Sequence, residues 1–237
     1  MMVVNCIPYG GISNRMKCII STLVEYGDIR LIWNIPNGGG GVRCEFSDLF
    51  ENEYNQTHDS KLKDISSCEF IHNHMNTNNS VAIDTITEAM SERYKSVIRS
   101  LRPIEYIKGR INEELDKLHN DFDVFSVRTF KSFPRENKRW GIHFKIDRLF
   151  KVMNLSNSKF LLTCDDNSTV NEIKNRYGDR VIMIPKRTSF GDFKSVSGMQ
   201  DILIDQYIGG FAKNIYGTYM SSYSEMQWWY GLKSSNY

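Results

Sequence analysis

The chain has 237 residues, of which 41% are hydrophobic and 12% aromatic, so it is long enough for one large α/β domain or two small domains sharing a cleft. Its 30 lysines and arginines nearly balance its 28 aspartates and glutamates, and the net charge of +2 does not predict a nucleic-acid-binding or membrane-surface protein. Any anionic ligand would therefore have to be bound by a local group of cations.

The cysteines and the amino-terminal residues bear on the compartment. The amino terminus lacks the basic and apolar regions of an export signal, and no run of about 18 apolar residues predicts a membrane span. We therefore expect a soluble, cytoplasmic protein with reduced thiols, since disulfides persist mainly in secreted proteins. The five cysteines are scattered and show no metal-site spacing: Cys6, Cys18, Cys44, Cys68 and Cys164.

The first predicted elements are a strand, a glycine turn and a helix. A short apolar strand precedes Gly10 and Gly11, and a helix over residues 13–25 follows. Free backbone amides and the helix dipole at such a turn suit an anion, and Asn14 and Arg15 lie in the same corner. The full glycine fingerprint of a dinucleotide site is absent, so a plain connection between strand and helix is the alternative.

The next part of the chain predicts structure rather than chemistry. A strand over residues 29–33 precedes a glycine-rich loop, which lacks the Gly-Lys-Ser/Thr sequence of a phosphate-binding loop. A short strand is predicted near residues 69–72, where His72 and His74 share one face. Because no third ligand lies at a credible spacing, these histidines do not predict a metal site. Apolar stripes predict two core helices, over residues 82–101 and 104–118.

A buried strand over residues 123–127 is predicted to end at Arg128. This arrangement puts a fixed positive charge at the carboxyl end of a strand, where open α/β sheets bind phosphorylated ligands. A polar loop that contains Glu136 follows.

The second half alternates strands and helices, which predicts a parallel, doubly wound sheet. Asp165, Arg187 and the serines Ser221 and Ser222 follow strands as Arg128 does, so we predict a nucleotide-binding crevice at these strand ends. The predicted strands cover residues 160–164, 181–184 and 215–216, and the predicted helices cover residues 140–153, 169–177, 200–213 and 225–232.

Several short motifs occur in a familiar order along the chain. They are GGISNR at residues 10–15, Trp33 with FSDLF at residues 46–50, LRP at residues 101–103, SVR at residues 126–128, LTCDD at residues 162–166, and Asp201 and Asp205 followed by TYMSS at residues 218–222. In these motifs the chain resembles the fucosyltransferase superfamily, which includes bacterial nodulation and animal core α-1,6-fucosyltransferases and protein O-fucosyltransferases.

The resemblance implies an α/β, GT-B-like architecture with two Rossmann-like halves facing a cleft. Residues 1–120 would form the acceptor side, and residues 121–237 would bind the nucleotide sugar. The implied reaction is an inverting, metal-independent transfer of fucose from GDP-fucose to a glycan acceptor, with no cofactor besides the donor. The sequence identifies neither the acceptor nor the oligomeric state. Because secretory relatives carry an amino-terminal membrane span, its absence favours a bacterial or viral enzyme.

Two residues are predicted to be catalytic. Arg128 stands at the signature arginine of the superfamily and would hold the departing diphosphate, since a guanidinium binds two phosphate oxygens at once. Glu136 lies in the loop where core-type relatives carry a glutamate base. Asp123 and a phosphate of the donor are alternative bases, and a solvated loop charge is the alternative interpretation of Glu136.

The predicted donor contacts come from both halves. The backbone of Gly10, Gly11 and Asn14 would approach the diphosphate or the sugar. Asp205 would accept hydrogen bonds from guanine or ribose, Ser221 and Ser222 would hydrogen-bond phosphate, and Asp165 would face the nucleotide. The structural alternatives are a helix-surface charge for Asp205, turn hydroxyls for the two serines and a helix cap for Asp165.

The chain departs from the superfamily pattern on either side of the signature arginine. Ser126 replaces the signature histidine, although its position is still predicted to lie in the donor site. Thr129 replaces a second arginine, and Arg15 and Arg187 are the cations predicted to compensate. These departures keep open a transferase that uses another nucleotide sugar, such as UDP-xylose or a rhamnose donor. A second alternative is a non-catalytic relative that binds a glycan or nucleotide, because GT-B proteins usually have more than 237 residues.

Overall fold

A computed structural model describes residues 2–33, 42–66, 88–119, 121–131, 137–138, 141, 144–218 and 221–231. The predictions for the strand near residues 69–72, for His72, His74 and Cys68, and for Glu136 lie outside these ranges. No helix within the ranges is both long and apolar enough to cross a membrane. The strands are β1 (Met2–Ile7), β2 (Gly27–Leu31), β3 (Asp64–Ser66), β4 (Asp123–Val127), β5 (Phe160–Cys164), β6 (Val181–Ile182) and β7 (Ile215–Gly217). The α-helices are α1 (Ile12–Tyr26), α2 (Glu88–Ser100), α3 (Glu105–Leu118), α4 (Ile146–Met153), α5 (Asn167–Tyr177), α6 (Val196–Gly209) and α7 (Ser222–Gly231).

The strands form two parallel sheets. The first sheet has the order β2-β1-β3, and the second has the order β6-β5-β4-β7. Parallel neighbours need crossover connections, and helices supply these between the successive strands of the second half. The predicted α/β class and the parallel, doubly wound second sheet are therefore confirmed.

The two faces of the second sheet are packed by different helices. Side chains alternate along a strand, so Phe125 and Val127 face one way and Val124 and Ser126 face the other. Phe125 and Val127 belong to a core with α4 and α5. Val124 lies in the larger core that contains α6 and α7. Ser126 is thus directed at the helices that connect this sheet to the first half.

The larger core spans both halves of the chain. Helix α6 contacts α3, and α7 contacts α1 and α2. The rings of Tyr94 on α2 and Trp229 on α7 lie 4.8 Å apart. Lys17 of α1 donates to Glu225 of α7 at 2.5 Å, and both side chains are about 95% buried. Helices α6 and α7 therefore join the two sheets through apolar packing and a buried ion pair.

Three described elements differ clearly from the predictions: α4, α6 and β3. Helix α4 begins at Ile146, whereas the sequence predicted a helix from residue 140. Helix α6 spans Val196–Gly209 instead of residues 200–213, and Ser195 caps it by accepting a hydrogen bond from the backbone N–H of Gly198. This helix is buried on nearly all sides, so no amphipathic stripe marks its ends. Strand β3 was not predicted because it is only three residues long and lies in a polar stretch.

None of the four described cysteines forms a disulfide. Cys6, Cys18 and Cys44 are buried, and Cys164 is half-buried. Burial raises the pKa of Cys44 and of Cys164 to about 12. These two thiols are therefore poor nucleophiles at neutral pH.

Candidate functional site

The carboxyl ends of three adjacent strands meet at Arg128. This arginine follows β4 directly, with Asp165 following β5 on one side and Thr218 following β7 on the other. The backbone N–H of Arg128 donates to Oγ1 of Thr218 at 2.8 Å. Thr218 Oγ1 in turn donates to the carbonyl of Ser126 at 2.9 Å. The backbone of Arg128, at the carboxyl end of β4, is therefore held by the residue that follows β7.

Asp165 organises the turn that follows β4. Its carboxylate accepts hydrogen bonds from the backbone N–H of Thr129 at 2.7 Å and of Phe130 at 3.1 Å. The hydroxyl of Thr129 donates to the same carboxylate at 3.0 Å. Nη1 of Arg128 lies 3.0 Å from Oδ2 of Asp165, whose side chain is only 5% exposed. One buried carboxylate thus holds both the turn and the guanidinium.

Arg128 remains accessible despite this ion pair. Its side chain is 29% exposed, and its guanidinium lies 5.2 Å from the centre of the Phe130 ring. Phe130 adopts a φ of 62°, which turns the chain sharply after the strand. Thr129 is buried, so the position where the superfamily has a second arginine points into the protein. Arg128 is held in place and still able to meet an anion.

Asp166 caps helix α5, as predicted from its position before the helix. Its carboxylate accepts from the backbone N–H of Thr169 at 2.9 Å. Burial alone would raise the pKa of Asp166, but hydrogen bonds from Ser168, Thr169 and Lys131 outweigh it and hold the pKa well below its usual range. Asp165 therefore holds the turn after β4 and the guanidinium of Arg128, whereas its neighbour Asp166 caps α5.

A buried polar network lies beneath the strand ends. The hydroxyl of Ser126 is 3.0 Å from the hydroxyl of Thr163 on β5, and it also donates to the side-chain oxygen of Gln227 on α7. Ser126 is 4% exposed and Gln227 is fully buried. The Ser126 side chain is thus engaged inside the protein, below the level of Arg128. Gln227 was not singled out in the sequence, where it directly precedes two tryptophans and a tyrosine.

A second cation at this edge, Lys186, was missed by sequence reasoning. Its ammonium group pairs with Asp205 of α6 and donates to the carbonyl of Asp201 at 3.4 Å. The other oxygen of the Asp205 carboxylate accepts from the hydroxyl of Tyr223 at 3.3 Å. Burial raises the pKa of Asp205, and Lys186 acts against that rise. Its position shortly after β6, beside Arg187, was the signal that could have identified Lys186.

Arg187 connects the second half to the first. Its guanidinium lies 4.1 Å from the centre of the Tyr106 ring on α3 and donates to the side chain of Gln200. Its backbone N–H donates to Asp201 at 3.0 Å. Gln200 continues the connection by donating to the carbonyl of Asp48 at 2.7 Å. Arg187 therefore has partners within the protein, and its predicted contact with the donor stays a prediction.

Arg15 is also engaged within the protein. It is 3% exposed, and its guanidinium lies 4.7 Å from the centre of the Trp33 ring. It donates from Nε to the carbonyl of Gly10 at 3.1 Å and from Nη1 to the carbonyl of Trp33 at 2.6 Å. In this position Arg15 braces the glycine corner.

The glycine corner forms as the sequence predicts, at the amino end of α1. Gly10 has a φ of 86°, a conformation that favours glycine, and Gly11 is the N-cap residue. The Gly11 cap provides no side-chain hydrogen bond to the first-turn amides. Asn14 lies against Gly10, and its neighbour Ser13 accepts from Gln206 of α6 at 2.7 Å. The corner is thereby tied to the helix that carries Asp205.

Ser221 and Ser222 lie at the start of α7. The carbonyl of Ser221 accepts a hydrogen bond from the hydroxyl of Ser224 at 3.0 Å. The backbone N–H of Ser221 donates to the carbonyl of Thr218 at 3.1 Å. Thr218 is the residue that contacts Arg128, so the serine turn and the arginine share a neighbour.

Comparison with known proteins supports the fold. No family model matches the sequence, and no curated protein does. The structure is similar to the crystal structure of NodZ α-1,6-fucosyltransferase soaked with GDP-fucose, with a TM-score of 0.58 and 14% identity over 96% of this chain and 92% of the other. Fucosyltransferase NodZ from Bradyrhizobium gives a TM-score of 0.55 and 15% identity over 95% and 92% of the two chains. The NodZ structure co-crystallised with GDP gives a TM-score of 0.55 and 15% identity over 95% and 91%. The predicted resemblance is confirmed at the level of architecture, and the chain has the GT-B-like α/β fold of the fucosyltransferase NodZ.

Proposed function

We propose that this protein is an inverting, metal-independent glycosyltransferase that moves fucose from GDP-fucose to a glycan acceptor. The observation that carries the proposal is the position of Arg128, a partly exposed arginine anchored by Asp165 at the carboxyl edge of the second sheet. In open α/β folds this edge is where phosphorylated ligands bind. The similar NodZ structures include one soaked with GDP-fucose and one co-crystallised with GDP.

The chemistry requires a cation at the leaving group. The acceptor oxygen forms a bond to C1 of the sugar while the bond from C1 to the diphosphate oxygen breaks, and GDP leaves with that electron pair. Arg128 would stabilise the charge that develops on the diphosphate, because its guanidinium is already oriented by Asp165 before the donor binds. A group fixed in advance needs no reorganisation during the reaction.

The remaining assignments extend this proposal to both halves. Glu136 would take the proton from the acceptor hydroxyl as the general base. The corner at Gly10 and Gly11 would approach the donor with the uncapped amides of α1. The acceptor would bind mainly to residues 1–120, and the donor mainly to residues 121–237.

The proposal is tested by incubating the protein, without an acceptor, with GDP-fucose, UDP-xylose and dTDP-rhamnose, and measuring the nucleoside diphosphate released. We expect slow release of GDP from GDP-fucose and no release of nucleoside diphosphate from the other two donors. Calorimetric titration with GDP, UDP and dTDP accompanies it, so that binding is measured separately from turnover.

Other outcomes separate the alternatives. Release of UDP or dTDP would assign another donor, an alternative favoured by the inward-facing Ser126 where the superfamily has a histidine. Binding of a nucleotide without hydrolysis, and without transfer to a panel of glycans, would identify a non-catalytic binding protein. Absence of both binding and hydrolysis would contradict the proposal.

A further inference from the structure

We propose that Lys186 supplies a second cation for the donor diphosphate, in the role that Thr129 cannot fill. The inference rests on the proposed function, because it concerns the phosphate groups of the same nucleotide-sugar donor. It assigns the missing charge to a lysine after β6, on a different strand from Arg128.

The first observation is that two similar ion pairs lie at the strand ends. Arg128 is 29% exposed and pairs with Asp165, which is 5% exposed. Lys186 is 32% exposed and pairs with Asp205, which is 11% exposed. In each pair a buried carboxylate fixes the cation, while about a third of the cationic side chain remains open to solvent. This is the arrangement expected of charges that are held ready for an anion.

The second observation is that both pairs connect to the end of β5. The strand order places β5 between β4 and β6. The Tyr223 hydroxyl that donates to Asp205 also hydrogen-bonds with Thr163. Thr163 lies two residues before Asp165, at the end of β5. The Lys186 pair and the Arg128 pair are thus both connected to the end of the same strand.

The third observation concerns the partners of the neighbouring cations. Arg15 donates to two backbone carbonyls near the first sheet, and Arg187 stacks on a ring of α3. Lys131 donates to three oxygens at the start of α5, which uses all three of its N–H groups. Among the described residues, Lys186 donates to two oxygens, so one N–H remains for a ligand.

The test compares a ligand that carries phosphates with one that does not. GDP and guanosine are titrated by calorimetry into the wild type, Lys186→Gln and Lys186→Arg. We expect Lys186→Gln to bind GDP about 10-fold to 100-fold more weakly, as for a lost charge-assisted hydrogen bond, and to bind guanosine as the wild type does. Lys186→Arg keeps the charge and should recover most of the GDP affinity.

The control is Lys213→Gln, which removes the same charge from an exposed pair with Asp121. The backbone N–H of Lys213 donates to the carbonyl of Phe122, which immediately precedes β4, so this lysine lies at the opposite edge of the second sheet. GDP affinity should not change in this variant. A loss equal to that of Lys186→Gln would show a general effect of net charge and would overturn the inference.

The ratio of the GDP affinity to the guanosine affinity distinguishes a phosphate contact of Lys186 from a purely structural role. Removing Lys186 leaves Asp205 without its cation, so the double variant Lys186→Gln/Asp205→Asn is titrated as well. GDP and guanosine share the same nucleoside, so any contact of Asp205 with it changes both affinities equally. The ratio of the two affinities within one variant is therefore unaffected by that contact. If the ratio of GDP affinity to guanosine affinity in both variants equals that of the wild type, the inference is overturned. If the wild type binds no nucleoside diphosphate, the proposed function itself fails, which is a distinct result.

Discussion

Oδ2 of Asp165 lies 3.0 Å from Nη1 of Arg128, and the same carboxylate accepts the backbone N–H groups of Thr129 and Phe130. The orientation of the arginine and the path of the chain after β4 are therefore set by one side chain from the neighbouring strand. Changes at Arg128 and at Asp165 should consequently have different effects on stability.

Replacing Arg128 by alanine should lower the rate of donor hydrolysis or transfer by about 10² to 10³, because a charge fixed at the leaving group is lost. Steady-state kinetics with the donor identified by the hydrolysis test measure this effect. Arg148→Ala, which removes an exposed arginine from α4, is the matched control and should react at the wild-type rate. Full activity in Arg128→Ala would refute the role given to this arginine.

Asp165→Asn should impair both activity and stability. The amide keeps the shape of the carboxylate but not its charge, and it replaces one acceptor oxygen by a donor that faces donor groups. We expect the free energy of unfolding to fall by about 1–3 kcal/mol, measured by urea denaturation. Arg128→Ala should lose less stability, since it leaves the backbone contacts of Asp165 in place. The opposite order would contradict the anchoring role of Asp165.

Asp166 should stabilise the folded protein at neutral pH and lose this contribution in acid. Its pKa in the folded protein lies below its value in the unfolded chain, so its stabilisation is complete above the unfolded value of about 4 and is lost as the pH falls toward the folded value. Asp166→Ala should cost about 1 kcal/mol at pH 7, as for a lost helix cap, and should make stability depend less on pH below about 5. Urea denaturation at several pH values tests this expectation, with an unchanged pH slope as the contrary result.

The ion pair between Lys17 and Glu225 should be essential to stability. Lys17→Met leaves a carboxylate buried without its cation, and we expect a loss of about 3–5 kcal/mol in the free energy of unfolding. Lys108→Met, which breaks the exposed pair with Glu51, should change the free energy of unfolding far less, because water and salt screen an exposed pair. Similar losses in the two variants would show that the buried pair is not needed to join the halves.

Ser126→Ala separates two roles for the position that replaces the signature histidine. The hydroxyl lies between Thr163 and Gln227, so its loss should lower stability by about 1 kcal/mol and leave donor affinity unchanged. Calorimetric titration of the variant with GDP provides the measurement. A tenfold weaker affinity with normal stability would instead support direct contact between Ser126 and the donor.

The parts of the fold that follow from local pattern were predictable from the sequence. Strands β4 and β5 are buried on both faces and therefore appear as apolar runs, and the strand-end rule led from them to Arg128 and Asp165. The ends of α6 were not predictable, because that helix is buried almost all round. Local sequence pattern thus does not predict the ends of an element whose burial depends on distant parts of the chain.

The same limit applies to the charged residues of the candidate site. Arg15 and Arg187 suit phosphate by residue type, but Trp33 and Tyr106 provide aromatic partners that only tertiary contacts bring near. Lys186 was overlooked because its carboxylate partner comes from a separate helix. Strand ends can be predicted from sequence, whereas the choice of which cation remains accessible depends on long-range pairing.

The ion pair between α1 and α7 also has a consequence for synthesis of the chain. Lys17 leaves the ribosome 208 residues before its partner Glu225. Until α7 has been made, α1 lacks both the carboxylate that neutralises this lysine and part of the surface that it packs against. The amino-terminal half therefore gains the contacts that complete the surroundings of α1 only after α7 has been made.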